Sequence, residues 1–261
     1  MTKYTLTVHI SQNWIQQFND RGWKLCFATA VETGGRANYN VVAFAAKKVA
    51  DTVTIEWEEK YQIAASKDQF ADRAIVTPET DPQPIEFGQS FSVDDSWTTQ
   101  PASPDERAPR GDGFLFKNHT RAAACVAYKV VQGRSTPVYI SPDGPLPRGQ
   151  EFLVPRPKCK VWFSLWHGTE SMVASKSFAG EDKEVDLTGN PNAEVWYTES
   201  GRWSNSEHEV VAPQQPQAAA DPWSDAAFEE DEASRAEDKA FQDEMEKIIN
   251  GGWDEGEDFK P

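Results

Sequence analysis

Through most of this chain, apolar side chains recur at every second position, in short runs broken by turn formers. Tyr4, Leu6, Val8 and Ile10 alternate with Thr5, Thr7 and His9. Period two sends successive side chains to opposite faces of an extended strand, so each run has one apolar face to bury. Residues 23–31 repeat the pattern, with Trp23, Leu25, Phe27 and Val31 expected inward and Lys24, Cys26, Ala28 and Ala30 opposite. Val53, Ile55 and Trp57 continue it, as do Ile85, Phe87, Phe91 and Val93. Further strands are predicted at 114–118, 122–131, 136–140, 151–154, 158–166, 184–187 and 193–198. Turn formers such as Asn19-Asp20-Arg21-Gly22, Gly34-Gly35 and Pro82 with Pro84 separate them. Before residue 204 no segment shows a sustained 3.6-residue apolar stripe. Short strands divided by frequent turns predict an all-β fold of sandwich or barrel type.

The runs fall into two halves. Residues 98–113, rich in Pro, Thr, Ser and charge, are read as a linker between an N-terminal β lobe (1–97) and a C-terminal one (114–203). A weak internal repeat accompanies the division. Cys26 and Cys125 each sit in a small-residue strand, followed by Trp57 and Trp162, each with a second aromatic four residues on (Tyr61, Trp166). The expectation is two tandem β-sandwich-like lobes.

Charge divides the chain differently. Of a formal net charge of −16, residues 204–261 carry −13, which leaves −3 for everything before them. That segment reads as an acidic, mostly disordered tail. One short amphipathic helix is predicted at about 224–250, with Phe241, Met245, Ile248 and Ile249 on its apolar face. Trp223, Phe228, Trp253 and Phe259 are set among carboxylates, more aromatic surface than a purely solvating tail needs. These eight residues are the expected partner-binding positions of the tail.

The acidic balance argues against nucleic acid as a partner. No apolar run approaches the length of a membrane span. The N-terminus lacks the charged and apolar regions of a secretory signal. Three cysteines are too few and too odd for a disulfide framework. Together these predict a cytoplasmic protein.

Catalytic motifs are scarce. There is no metal-ligand spacing, no phosphate-cradling loop and no nucleophile elbow, so no metal and no cofactor is expected. His167, beside Trp166 and close to Glu170, is the best candidate acid–base group, with Glu170 its companion. Cys159, between Lys158 and Lys160, is the most plausible reactive thiol, because flanking ammonium groups favour a thiolate.

A binding surface is better marked. Residues 115–178 carry +6 within this acidic chain. With Val161, Phe163 and Leu165 inward, Lys158, Lys160, Trp162 and Trp166 share the opposite face, continuous with Arg156. Indoles interleaved with cations suit carbohydrate rings or acidic–aromatic peptides. The sequence therefore points to a non-enzymatic binding or interaction protein. Its expected ligand is a carbohydrate or a protein partner, and its own acidic tail could mask the site in cis or trans. A cofactor-independent cyclase or isomerase with a Trp-lined pocket is the competing class. A self-associating homo-oligomer linked through its tails is the third.

Overall fold

A computed structural model describes residues 2–178 and 182–206. The tail positions from Trp223 to Phe259, and the helix expected at 224–250, lie outside the described residues. In chain order the first strands are β1 (Lys3–Ile10), β2 (Lys24–Thr33), β3 (Arg36–Asn38), β4 (Phe44–Ala45) and β5 (Thr52–Ser66). Then come β6 (Gln83–Ile85), β7 (Gln89–Val93), β8 (Ser103–Pro104), β9 (Phe114–Asn118) and β10 (Ala124–Val131). The last are β11 (Arg134–Ile140), β12 (Gly149–Ser164), β13 (Lys183–Asp186), β14 (Asn192–Tyr197) and β15 (Trp203–Ser204). One helix, α1 (Gln12–Asp20), joins β1 to β2. The fold is all-β.

Two sheets form. The first runs β11-β10-β5-β1-β14-β15, with β6 beside β5; the second runs β3-β2-β12-β9-β7-β8, with β13 on β12 and β4 on β2. They face each other through aromatic contacts. Phe27 of β2 lies 4.9 Å from Trp57 of β5, and Phe114 of β9 lies 5.7 Å from Tyr61 of β5.

This topology corrects the expected division into 1–97 and 114–203. Each sheet takes strands from both halves: β5 pairs with β10, and β2 pairs with β12. The described residues all fall within one compact unit. The reason is that a strand's partner is set by non-local burial, which turn positions in the sequence do not encode. The two strand orders correspond when β1, β2, β3, β5, β6, β7 and β8 are exchanged for β9, β10, β11, β12, β13, β14 and β15. Even the parallel pairs agree, β1 with β14 and β7 with β9.

Residues 98–113 are likewise packed structure and not a free linker. β8 extends the second sheet there, Ala108 is buried, and Asp105 pairs with Lys117 of β9.

Strand chemistry explains the layers. In β1, Leu6, Val8 and Ile10 are buried while Thr5, Thr7 and His9 are half-exposed. In β2 both faces are buried: Leu25, Phe27 and Val31 enter the inter-sheet core, and the small Cys26, Ala28 and Ala30 are covered from outside by Tyr39, Val42 and Val173. The prolines of β12 fall where their missing N–H groups cost least. Its register with β2 breaks between Pro155 and Cys159.

Helix α1 was not expected, and it fills residues 12–20, part of which reads as a turn. Only Phe18 on it is fully buried. Phe18 stacks on Phe163 at 4.0 Å and meets Tyr197 at 5.7 Å, so the helix is held by packing at one end of the sandwich and not by propensity.

Candidate functional site

The cationic face of β12 exists as a geometric stripe, but its charges are answered locally. Arg156 Nε donates to Glu32 at 2.7 Å, and its Nη1 reaches Asp112 at 3.3 Å. Lys158 lies 3.3 Å from Asp186 and 3.9 Å from Glu184. Lys160 pairs with Asp182 at 2.7 Å and lies over the ring of Tyr39. Three cations therefore share five carboxylates, and the stripe has no net positive charge to offer an acidic peptide.

Trp162 is on this face, as the alternation requires, but only 1% of its surface is exposed. It packs with Cys26, Ala28, Tyr39, Val42 and Val173, so it cannot serve as a stacking platform for a ligand. Trp166 lies beyond the strand end and is 38% exposed, with the Arg73 guanidinium 5.5 Å from its ring. The expected two-indole surface is thus reduced to one indole.

His167 is buried in a hydrogen-bonded array. Its Nδ1 lies 2.9 Å from Ser164 Oγ, and its Nε2 lies 3.3 Å from Asp72 Oδ1. A serine, a histidine and an aspartate in line invite a nucleophilic reading. The hydrogen bonds assign a different role. Ser164 Oγ accepts the backbone N–H groups of Trp166 and His167, each at 3.2 Å. Its lone pairs are therefore engaged, its proton points to Nδ1, and Nε2–H is left to donate to Asp72. Asp72 Oδ1 also accepts from Ala174 N–H at 2.7 Å and Ser177 Oγ at 3.1 Å. Burial opposes ionisation of Asp72, but these donors outweigh it and hold the carboxyl below its usual range. The array closes the turn after β12 and ties it to the 72–77 segment. Glu170 takes no part: its side chain is exposed, and its backbone N–H donates to Val42 O at 2.7 Å.

Cys159 is fully buried, and desolvation pushes its thiol well above the ordinary value despite the nearby Lys129 charge. It faces the core between the sheets, while Lys158 and Lys160 point away on the other face. The sequence neighbours that suggested a thiolate are therefore on the wrong side of the strand.

A different site emerges at the end of the sandwich where β9 and β12 leave the core. A cavity of about 250 Å³ is lined by Phe116, Asn118, Ala123, Leu146, Pro147, Gly149, Gln150 and Glu151. Ala123 and Leu146 form a β-bridge, and Asn118 Nδ2 donates to Leu146 O at 2.7 Å, so the wall is fixed by backbone bonds. Glu151 is at an inward position of β12, opposite Phe116 of β9. The Tyr139 hydroxyl donates to one carboxyl oxygen, and Ser141 Oγ donates to the other at 2.6 Å. Ser141 Oγ is itself fixed by Cys125 N–H at 2.7 Å. Desolvation raises the Glu151 pKa, the two hydroxyls pull it back, and the charge of Asp143 raises it further. Among the described residues no lysine, arginine or histidine forms an ion pair with Glu151.

The sequence reading passed over Glu151, Tyr139 and Ser141. One signal was present: Glu151, Leu153 and Pro155 share the inward phase of the strand, so an acid stands where an apolar residue is expected.

No protein-family model, curated protein or solved structure matches this chain. Among the described residues no group of His, Cys, Asp or Glu could hold a metal ion, and no helix is long and apolar enough to cross a membrane.

Proposed function

We propose that this protein is a non-enzymatic binding protein whose ligand site is the cavity beside Glu151. The observation that carries the reading is a half-buried carboxyl group, held by two hydroxyl donors, in the lining of a largely apolar cavity. Pockets that bind small molecules combine an apolar lining with a few convergent polar groups. Here Phe116, Ala123, Leu146 and Pro147 supply the first, and Asn118 and Glu151 the second. Both Glu151 oxygens are held by neutral hydroxyl donors, which fixes the carboxyl's direction without consuming its charge. The lining includes neither His167 nor Glu170, the groups that an enzymatic pocket was expected to use.

A ligand-observed NMR screen of small aromatic and aliphatic molecules against the full chain tests the reading. Leu146→Trp, at an exposed residue of the lining, should fill the cavity and abolish the hits. Hits that persist in that variant, or an empty screen, would remove the cavity as the binding site.

A further inference from the structure

The geometry points to an organic ammonium ion, an apolar group carrying a single cationic amine, as the ligand of the Glu151 cavity; this rests on the cavity being the binding site. The argument begins with the carboxyl's incomplete environment. A buried carboxylate is costly unless a cation or several hydrogen bonds compensate it. Glu151 has one hydroxyl donor on each oxygen and no cationic partner among the described residues. Each carboxylate oxygen accepts more than one hydrogen bond, so acceptor capacity remains. The charge of Asp143, another acid, also acts on the Glu151 carboxyl and raises its pKa. The closest basic residue in sequence, Arg148, is exposed and paired with Asp95. The site thus has an acid without a cationic partner in a mainly apolar lining, which matches an ammonium on a hydrocarbon body.

Size sets the rest. A cavity of about 150 Å³ holds benzene, so the volume here, about 250 Å³, admits a ring with a short aminoalkyl arm. Phe116 and Pro147 offer flat apolar surface for the ring, while the ammonium can reach Glu151. An anion would meet Glu151 and Asp143 with like charge. A neutral alcohol of the same shape would keep the apolar contacts and lose the ion pair.

Why the space exists is visible in the topology. The β1–β2 connection carries helix α1, whose Phe18 is buried against Phe163, toward the other end of β12. The corresponding β9–β10 connection is only residues 119–123 and has no helix. Asn118 and Ala123, which bound that short connection, line the cavity. The first half fills its connection with its own aromatic side chain, and the second leaves room for a foreign one.

The test uses three probes of one shape on the full chain: 2-phenylethylammonium, 2-phenylethanol and 3-phenylpropanoate. Binding is followed by amide shifts of Ala123, Leu146 and Gln150 at low salt and neutral pH. The expected result is that the ammonium binds at least tenfold more tightly than the alcohol, that the anion is weakest, and that Glu151→Gln erases the preference. Equal binding of alcohol and ammonium would overturn the cationic ligand while leaving the cavity as a binding site. No binding of any probe would overturn both. Should Glu151→Gln fail to fold, the order of the three affinities on the unmodified chain decides the matter alone.

Discussion

The ammonium of Lys129 lies over the ring of Tyr61, 5.4 Å from its centroid, and Lys129 is only 2% exposed. Tyr61 touches Phe114 of the opposite sheet, so this cation is inside the sandwich. Desolvation lowers the Lys129 pKa from 10.5 to about 8, against the opposing pull of Glu59 and Cys159. At neutral pH the folded state therefore carries a charge that it holds less well than the unfolded chain. Lys129→Met, of similar length and without charge, should stabilise the protein at pH 7 by roughly 1–3 kcal/mol. Between pH 8 and 10.5 the folded state has released a proton that the unfolded state retains, so the parent gains stability with pH and the variant does not. Urea unfolding at pH 7 and pH 9.5 measures both effects. A variant with a lower urea midpoint at pH 7 would show that the contact with Tyr61 outweighs desolvation.

All three cysteines are buried. Burial pushes the Cys26 thiol up to about 12 and raises those of Cys125 and Cys159 as well. The native protein should not react with an aromatic disulfide reagent at pH 8, and three equivalents should react in urea, at the rate of unfolding. Rapid native labelling of one thiol would mean that β2, β10 or β12 opens locally far more often than the rest of the fold.

Local periodicity made most strands legible, because a half-buried strand writes its burial directly into alternate residues. The run at 114–118 matches β9, and the runs at 151–154 and 158–166 turn out to be one strand bent at its prolines. Pairing was not legible. Nothing in the sequence of β2 says that its neighbour is β12, since that choice depends on contacts more than a hundred residues apart. The charge reading failed for the same reason. A count over 115–178 stops short of Asp182, Glu184 and Asp186, which flank or belong to β13 and lie against Lys158 and Lys160. Helix α1 escaped notice because its apolar stripe, Trp14, Ile15 and Phe18, spans little more than one turn.

Glu151 should leave its mark on the pH dependence of stability. Its pKa is raised in the folded state by burial, with Asp143 adding to the effect and the Ser141 and Tyr139 hydroxyls opposing it. A carboxyl so raised favours folding at acid pH, and that contribution is lost as the pH rises through its folded value. Glu151→Gln has no proton to lose. The stability of the variant relative to the parent should therefore improve as the pH rises from the ordinary Glu value to the raised folded one, and level off above it. A relative stability that is flat across that range would indicate that the folded carboxyl titrates like an exposed one.

The aromatic end of the sandwich offers a test of what holds α1. Phe18 is 2% exposed and stacks on Phe163. Phe18→Ala should cost about 3–5 kcal/mol, as for other buried Phe truncations. Gly201 has φ +71°, and a Cβ there would come within 2.9 Å of the Trp14 ring. Gly201→Ala should therefore destabilise too, by roughly 1–2 kcal/mol from the left-handed backbone alone. Chemical denaturation of each variant gives the values. A loss under 1 kcal/mol for Phe18→Ala would place α1 outside the cooperative core.

The Asp72–His167 pair carries the clearest acid-side dependence. Asp72 accepts from His167, Ala174 and Ser177, and Arg73 Nε stands 3.5 Å from its second oxygen. Desolvation works against this carboxylate and the donors win, so its pKa is lowered on folding. A carboxyl depressed in this way stabilises the fold above the ordinary Asp value, and the contribution disappears as pH falls through the folded value. Asp72→Asn removes the charge while keeping the shape, and one amide hydrogen must then face a donor. Hydrogen bonds to charged groups are worth about 1.5–3 kcal/mol each, and the partners partly re-form with the amide oxygen. A net loss of about 2 kcal/mol at pH 7 is expected, shrinking as the pH falls through the folded value, where the parent also loses its carboxylate. The loss should be specific to the turn after β12: hydrogen exchange at Trp166, His167 and Ala174 should quicken in the variant before exchange in β1 or β5 does. Equal stabilities at pH 7, or uniform exchange, would mean that Ser164 and the backbone alone close that turn.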